Sequence, residues 1–286
     1  MVAAVTYRLA VANAALCREK LSPQPGFVVH SIEQYGQRDR DGAVRSFGLG
    51  NHVAVMAVVA DSPAALAGLR ADDQIFLVNG RALSRPIPAS AVPTNARLEE
   101  ARQLLQAEMT KGAVVLRVSR PDGARDLRFA PEMGCPSNVE LVPGAAVNAW
   151  ANGQGVVVSA GLLERCATDA DLALVIAHEL AHNLLHHDQQ LARAGIRRNG
   201  LLHDAGAGSA EMRATEEQAD RLGVHLAAAA GYDLSGAAAF LGGLQMRAGA
   251  AQAASTHPAP GRRLAMLTAA IALEAAGPAP KAPSIM

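Results

Sequence analysis

The sequence predicts an α+β protein of two domains, a strand-rich domain followed by a mainly helical domain with a small edge sheet. Two observations support this prediction. Between residues 27 and 131, short runs of strand-forming residues alternate with turn signals such as Asn79-Gly80. Between residues 132 and 276, the Pro-free run DLALVIAHELAHNLLHH has the length and apolar character of a buried helix. A chain of 286 residues is long enough for two separate cores.

The pattern of residues 1–26 predicts a helix that packs on the helical domain. The stretch MVAAVTYRLAVANAAL lacks the basic start of a signal peptide, because its first positive charge is Arg8. Its apolar residues fall on one side at helical spacing, with Leu9, Val11, Ala12 and Leu16 on the inner face.

Turn and cap residues order the elements of the strand-rich domain. Ser62-Pro63 begins a short helix that Gly68 ends, and the run from Gln74 to Val78 predicts a strand that leads into the Asn79-Gly80 turn. The later stretch LEEARQLLQAEMTKG has the spacing of an amphipathic helix. The stretch AVVLRVSRPDGARDLRFA predicts two strands around a Pro-Asp-Gly turn.

Charge and composition argue against several classes of partner. Lys plus Arg and Asp plus Glu number 26 each, so nothing points to nucleic acid or to an anionic membrane surface. The apolar run DLALVIA is cut by His178 and Glu179, and no run reaches the length of a membrane-spanning helix. Residues 277–286 are rich in Pro and predict a flexible tail.

The helical domain contains an H-E-x-x-H pattern, HELAH, at residues 178–182. On a helix, His178 and His182 lie one turn apart on the same face, so two imidazole nitrogens can bind one metal ion. Glu179 is then a carboxylate that can take a proton from a water and return it to a leaving amine. Thr168 and Asp171 form a helix start upstream. The alternative is a pair of histidines that only form hydrogen bonds within the core.

A catalytic zinc ion needs a third protein ligand, and the sequence offers two places for it. A metzincin-like pattern would use Asp188, but Leu185 stands where that pattern has a helix-breaking Gly, so we expect the helix to run straight on. The second place is the helix predicted between Ser209 and Gly231. There, Glu216 can bind the metal while Asp220, one turn later, fixes the tautomer of a ligating His. Rival carboxylates on the same helix are Glu211 and Glu217.

Several motifs together resemble metallopeptidase family forty-eight, whose members include HtpX-type and CAAX prenyl proteases. They are HELAH, EEQAD read as E-x-x-A-D, AGYD, THPAPGRRL and the upstream segment VNAWANGQGVVVSAGLLERC. They match the family in order and spacing over roughly residues 135 to 275. The resemblance implies a zincin-type fold in which an edge strand from the upstream segment flanks the cleft and can pair with an extended substrate.

The same resemblance implies roles for single residues. His257 matches a family residue at the active site and would polarise the scissile carbonyl or cover the metal, with a helix cap or a core contact as the alternative. Arg263 also matches a residue that lines the site, and it would equally serve as an ion-pair partner of Asp220 or of another acid. The family's zinc ligands and general base correspond here to His178, His182 and Glu216, and to Glu179, respectively.

The segment SFGLGNHVAVMAVVADSPAALAGLRADDQIFLVNGRAL resembles a PDZ domain of the kind attached to bacterial proteases. This resemblance implies a groove between an early strand and the later helix, in which a C-terminal peptide adds as an extra strand. The backbone amides near Phe47, Gly48, Leu49 and Gly50 would receive its carboxylate. Alternatively, these glycines only form a turn before a strand, and the domain acts as a spacer or regulator.

The sequence therefore predicts a zinc endopeptidase with one Zn²⁺ per chain that cleaves unfolded or misassembled proteins. The substrate class rests on the resemblance, because the sequence specifies no side-chain pocket. Two alternatives stay open. One is a peptide-binding adaptor with a structural zinc ion, and the other is a peptidase held inactive by its PDZ-like domain or by a fourth ligand such as His257 or His203.

Three cysteines allow one disulfide and one free thiol. Cys17 and Cys135 flank the PDZ-like region, and a bridge between them would tie the N-terminal helix to the start of the helical domain in an oxidising compartment. The alternative is that both, like Cys166, are reduced and buried. Together with the resemblance, the cysteines favour a periplasmic or other extracytoplasmic location over a cytoplasmic one.

Overall fold

The structure, a computed structural model, describes residues 1–84, 92–196, 208–247 and 259–276. The chain divides into two compact units, a helical unit of residues 1–20 and 135–286 and a strand unit of residues 21–134. No helix among the described residues is long and apolar enough to cross a membrane.

The helices and strands are numbered here in chain order. The helices are α1 (Val2–Ala12), α2 (Arg40–Phe47), α3 (Pro63–Leu66), α4 (Ala96–Thr110), α5 (Ala160–Leu163), α6 (Asp169–Leu184), α7 (His187–Arg193), α8 (Gly208–Ala229), α9 (Ala237–Arg247) and α10 (Pro260–Ala276). The strands are β1 (Ser22–Gln24), β2 (Phe27–His30), β3 (Val53–Val58), β4 (Gln74–Val78), β5 (Arg81–Ala82), β6 (Val114–Arg120), β7 (Gly123–Phe129), β8 (Glu132–Gly134), β9 (Val139–Val142), β10 (Ala149–Ala151) and β11 (Val156–Ser159).

The strand unit is built on a six-stranded antiparallel sheet. Strands β2, β3, β4, β6 and β7 lie side by side in that order, β5 pairs with β4, and β1 pairs with β8 in a separate antiparallel ribbon. Helix α4 packs its apolar face on the sheet, because Leu98, Leu105 and Met109 are buried against strand residues such as Val55 and Leu116. The helix and strands expected between residues 96 and 129 are therefore present.

Turn residues act in this unit as the sequence indicates. Ser62 caps α3, since its Oγ accepts a hydrogen bond from the Ala65 amide at 3.2 Å. Asn79 and Gly80 adopt positive φ angles of 49° and 77°, which suit the tight turn that joins β4 to β5. The side chain of Asn79 also belongs to a polar cluster that includes Glu108 on α4.

That cluster surrounds the carboxylate of Glu108. Lys111, Asn79 and Arg81 donate hydrogen bonds to Glu108, at distances of 2.8, 3.0 and 2.7 Å. These donors lower the pKa of Glu108 to about 2, because they stabilise the ionised carboxylate. The cluster connects the β4–β5 turn to the C-terminal half of α4.

The helical unit is centred on α6, which packs against α8. A reciprocal capping box starts α6, as expected from the sequence: Thr168 Oγ1 accepts a hydrogen bond from the Asp171 amide, and Asp171 Oδ2 accepts one from the Thr168 amide. Helix α8 approaches α6 closely at Gly223. A Cβ atom on Gly223 would lie 3.0 Å from both Cα and N of His178, so only glycine fits this contact without a shift.

A small sheet and the N-terminal helix complete the helical unit. The strand order is β10-β11-β9, with β10 antiparallel and β9 parallel to β11, so β10 is an edge strand. Helix α1 packs on α6 and α8 and buries Val5 and Leu9 in the same core. A disulfide joins Cys17 to Cys135.

Candidate metal centre

Helix α6 carries the HELAH motif at the centre of the helical unit. His178 and His182 are 6% and 3% exposed, and their Nε2 atoms lie 3.2 Å apart. The helix is buried on several faces, with Leu174, Ile176 and Leu180 in the core. The two imidazoles therefore direct their Nε2 atoms at the same point inside the protein, as expected for residues one helical turn apart.

Glu216 on α8 completes a group of three possible metal ligands. Its Oε2 lies 3.3 Å from His178 Nε2, and its Oε1 lies 3.5 Å from His182 Nε2. All three side chains are buried, and their ligand atoms lie within 4.8 Å of one another. Two imidazole nitrogens and a carboxylate oxygen, converging in a buried site, form a donor set that can hold a metal cation.

Asp220 and Arg263 surround the opposite side of His178. His178 Nδ1 lies 2.9 Å from Asp220 Oδ1, and Arg263 donates two hydrogen bonds to the Asp220 carboxylate at 2.8 and 2.7 Å. Burial opposes a charge on His178, but the carboxylates of Asp220 and Glu216 outweigh it and raise the pKa of His178 to about 10. Burial likewise opposes ionisation of Asp220, but His178 and Arg263 outweigh it and lower the pKa of Asp220. The surroundings thus favour positive charge at His178.

A third histidine lies behind His182. His187 Nδ1 is 2.9 Å from His182 Nδ1, and His187 Nε2 is 3.0 Å from Gln218 Oε1 on α8. His187 is fully buried. The sequence led us to expect that the helix runs straight on past His182, but α6 ends at Leu184. His186 adopts a left-handed conformation with φ 53°, and a new helix begins at His187.

Glu179 and Asn183, one helical turn apart on α6, attach the helix to the turn between β10 and β11. The Ala151 amide donates to Glu179 Oε2 at 2.8 Å. Asn183 Oδ1 accepts a hydrogen bond from the Gly153 amide, and Asn183 Nδ2 donates to the Gly155 carbonyl, both at 2.8 Å. The edge strand β10 is therefore held beside the carboxylate that follows His178 in the motif.

The structure brings some of the sequence-predicted site residues together and places others elsewhere. Glu217, a rival for the third ligand, instead accepts a hydrogen bond from Arg262 at 2.8 Å. The other rival, Glu211, is exposed in the first turn of α8, and Asp188 lies on α7 outside the group of three ligands. His257 and His203 lie outside the described residues. The predicted residues that meet at the centre are His178, His182, Glu216, Asp220 and Arg263, and Glu179 follows His178 on α6 and binds the Ala151 amide.

The residues predicted to bind a peptide carboxylate lie between α2 and β3 in the strand unit. Phe47 is the last residue of α2, and Gly48 ends the helix with a left-handed φ of 59°. Leu49 is 2% exposed and packs against Ala43 in a small apolar cluster. The Gly48 carbonyl accepts a hydrogen bond from Gln74 Nε2 at 3.0 Å, and a Cβ on Gly50 would lie 3.0 Å from the same side chain. Their role in peptide binding stays a prediction.

Three polar residues at the centre escaped the sequence reasoning. Asn183 and Gln218 belong to no recognised motif, and nothing in the sequence separates them from the amide side chains of helices that are usually solvated. His187 was expected to continue the active-site helix, and only the break at His186 turns it onto His182. Helix breaks at left-handed residues are signalled by Gly or Asn, and the sequence has neither at this position.

Two family models match the chain. The family model described as peptidase family M48 matches residues 127–209 and 199–271, and a PDZ domain model matches residues 55–120. Among solved structures, the chain is similar to the crystal structure of the HtrA3 PDZ domain bound to a phage-derived ligand (FGRWV). That match has 21% sequence identity and a TM-score of 0.28, and it covers 40% of this chain and 88% of the other. No curated protein matches the chain. The family and the PDZ domain expected from the sequence are confirmed.

Proposed function

The chain belongs to peptidase family M48 and carries a PDZ domain, and from this premise we propose that it is a zinc-dependent endopeptidase that cleaves unfolded or misassembled proteins. The observation that carries the proposal is the convergence of His178, His182 and Glu216 beside Glu179. The family makes the chain a metallopeptidase, and the metal, the substrate and the role of the PDZ domain are what we propose.

The spacing between the two imidazole nitrogens and the Glu216 carboxylate supports zinc. Zinc lies about 2.0–2.1 Å from nitrogen and oxygen ligands in a tetrahedral site, so two such ligand atoms lie roughly 3.3 Å apart. His178 Nε2 lies 3.2 Å from His182 Nε2 and 3.3 Å from Glu216 Oε2, and the other carboxylate oxygen, Glu216 Oε1, lies 3.5 Å from His182 Nε2. The residues present therefore fit one zinc ion, with three protein ligands as in catalytic sites.

When bound, zinc would supply a Lewis acid that polarises the scissile carbonyl and acidifies water. The residues of the chain would do the rest. Glu179 would take a proton from the attacking water and return it to the leaving amine. Glu179 Oε2 already accepts a hydrogen bond from the Ala151 amide. We therefore assign the proton taken from the water to the other carboxylate oxygen, Oε1. Asp220, clamped by Arg263, would hold the His178 ring in the orientation that directs Nε2 at the metal.

The edge strand β10 is the proposed contact for an extended substrate. An edge strand offers backbone groups that an unfolded chain can pair with, whatever its side chains are. Ala151 on β10 touches Glu179, so a strand added to β10 would pass the general base. This mode of binding suits unfolded proteins, because it reads backbone rather than a specific side chain.

The PDZ domain is proposed to capture C-terminal peptides or to regulate the peptidase, with Phe47, Gly48, Leu49 and Gly50 as the predicted carboxylate site. An extracytoplasmic location is proposed as well. Its support is the disulfide between Cys17 and Cys135, since such bonds persist in oxidising compartments and are rare in the cytosol.

The proposal is tested by cleavage of an unfolded, fluorescently labelled protein. The zinc-loaded chain should cleave it, and both chelation and Glu179→Gln should abolish cleavage, although the variant keeps its metal because Glu179 is not a ligand. If the wild-type chain and the variant both hold zinc and neither cleaves, the endopeptidase proposal is wrong, and a structural zinc in a peptide-binding adaptor takes its place.

A further inference from the structure

The two histidines of the metal centre differ in what lies behind them. Asp220, an anion held by Arg263, lies 2.9 Å from His178 Nδ1. Another imidazole, that of His187, lies at the same 2.9 Å from His182 Nδ1. Ligating histidines usually direct their outer nitrogen at a carboxylate, a backbone carbonyl or water. An imidazole in this place is unusual and calls for an explanation.

A break in the helix brings His187 beside His182 Nδ1. Five residues along a continuous α-helix turn the side chain by roughly 500°, so a residue at that spacing points about 140° away from His182. The left-handed conformation of His186, with φ 53° and ψ 37°, interrupts the helix and returns His187 to the His182 face. Left-handed backbone is uncommon for a residue other than Gly and carries a cost, so the surrounding contacts must hold it.

The protons in this chain of contacts follow from metal binding. A neutral His that ligates through Nε2 carries its proton on Nδ1. His182 Nδ1 must then donate to His187 Nδ1, which accepts with its lone pair. His187 therefore carries its own proton on Nε2 and donates it to Gln218 Oε1, which can only accept. Each partner fixes the tautomer of the next, from Gln218 on α8 to His182.

We propose that His187 is a positioning residue for the metal centre, and that Gln218 acts through it. His187 orients the His182 ring and keeps its proton on Nδ1, so that Nε2 presents its lone pair to the metal. This inference rests on the metal centre of the proposed function, but it does not depend on which substrate is cleaved. It gives a function to a fully buried histidine that lies outside the group of three possible metal ligands.

Two replacements separate the hydrogen-bond acceptor of His187 from the space that the ring fills. His187→Phe fills the space but leaves the buried Nδ1–H of His182 without an acceptor. His187→Asn places an amide oxygen close to the position of the missing Nδ1. His225→Phe is the matched control, because His225 is a largely buried histidine on α8 whose Nδ1 lies 3.0 Å from Glu274 Oε1, away from the metal ligands.

The measurement is zinc affinity, by competition with a chromophoric chelator, together with the visible spectrum of the cobalt-loaded protein. His187→Phe should bind zinc about 10–100-fold more weakly, the usual effect of removing the partner of a ligating His. His187→Asn should stay within roughly threefold of wild type and keep the cobalt spectrum. Gln218→Leu should weaken zinc binding less than His187→Phe, and Gln218→Glu, which retains an acceptor, should restore it. His225→Phe should leave zinc affinity unchanged.

Wild-type affinity in His187→Phe would overturn the inference. An equal loss in His187→Phe and His187→Asn would also overturn it, because the imidazole would then matter for packing and not as an acceptor. A chain that binds no zinc at all would overturn it as well. A wild-type chain that binds zinc and cleaves nothing would contradict the endopeptidase proposal alone, since the affinities of the variants would still decide the role of His187.

Discussion

Replacing Gly223 by Ala tests how closely α6 and α8 approach each other at the metal centre. A Cβ at this position would lie 3.0 Å from the Cα and N atoms of His178, which are backbone atoms and cannot turn aside. Ordinary contacts of this kind are longer by a few tenths of an ångström, so one helix must shift. Glu216 lies two turns before Gly223 on the same helix, and the shift would therefore change the distance between Glu216 and His178.

The magnitude follows from two opposing effects. Replacing a helical Gly by Ala stabilises a helix by about 1 kcal/mol, whereas overpacking a tight contact costs about 1–3 kcal/mol. Gly243 on α9 is the matched control, because no atom of the described residues lies within 4 Å of a Cβ built there. Gly243→Ala should gain the helix term alone. The free energies of unfolding of the two variants should therefore differ by about 1–3 kcal/mol, with Gly223→Ala the less stable.

Trp150 provides the assay, because it is the single Trp of the chain and lies on β10 in the helical unit. Urea denaturation followed by its fluorescence, with a chelator present, reports on the helical unit without a contribution from bound metal. Zinc affinity should fall in Gly223→Ala and stay at the wild-type value in Gly243→Ala. Equal stabilisation of both variants, with unchanged zinc affinity, would refute the close approach of the two helices at His178.

Three further predictions concern other contacts. Arg263→Met should lower the free energy of unfolding of the helical unit by about 3–5 kcal/mol, because it removes the guanidinium that donates two hydrogen bonds to the buried carboxylate of Asp220; denaturation followed by Trp fluorescence measures this. Asn183→Ala should reduce cleavage much more than zinc affinity, because it releases the turn at residues 153–155 that holds the edge strand; kinetics of cleavage beside a zinc titration would show it. The stability that Glu108 gives the strand unit is present above its unfolded pKa near 4.5 and is lost as the pH falls toward about 2, because its pKa is lower in the folded state. Hydrogen exchange of α4 should show that Glu108→Gln removes the part of the pH dependence in this window, and an unchanged profile would contradict it.

The metal centre shows which site residues local sequence patterns can predict. His178 and His182 follow from helical spacing alone, because two ligands on the same helix face need no tertiary information. Glu216 could be favoured over Glu211 and Glu217 through Asp220 one turn later and through its family motif, but the direction that each carboxylate faces on α8 is not a local property. The structure decides between them by packing, because Glu216 points at α6 while Glu217 reaches Arg262.

The residues behind the ligands were harder to predict. His187 depends on a left-handed residue at 186, and that conformation is held by tertiary contacts, which no local pattern contains. The role of Gly223 is similar, since nothing in the sequence distinguishes a helical Gly that permits close packing from one that is merely tolerated. The strand unit was easier, because turns such as Asn79-Gly80 determine where its strands end.

The most direct test is the position of the metal itself. A crystal of the zinc-loaded chain, measured at the zinc absorption edge, should show one anomalous peak per chain between His178 Nε2, His182 Nε2 and the Glu216 carboxylate, with a water as the fourth ligand. This result would establish an open centre beside Glu179. A peak elsewhere, or a fourth ligand from the protein, would contradict the proposed catalytic zinc site.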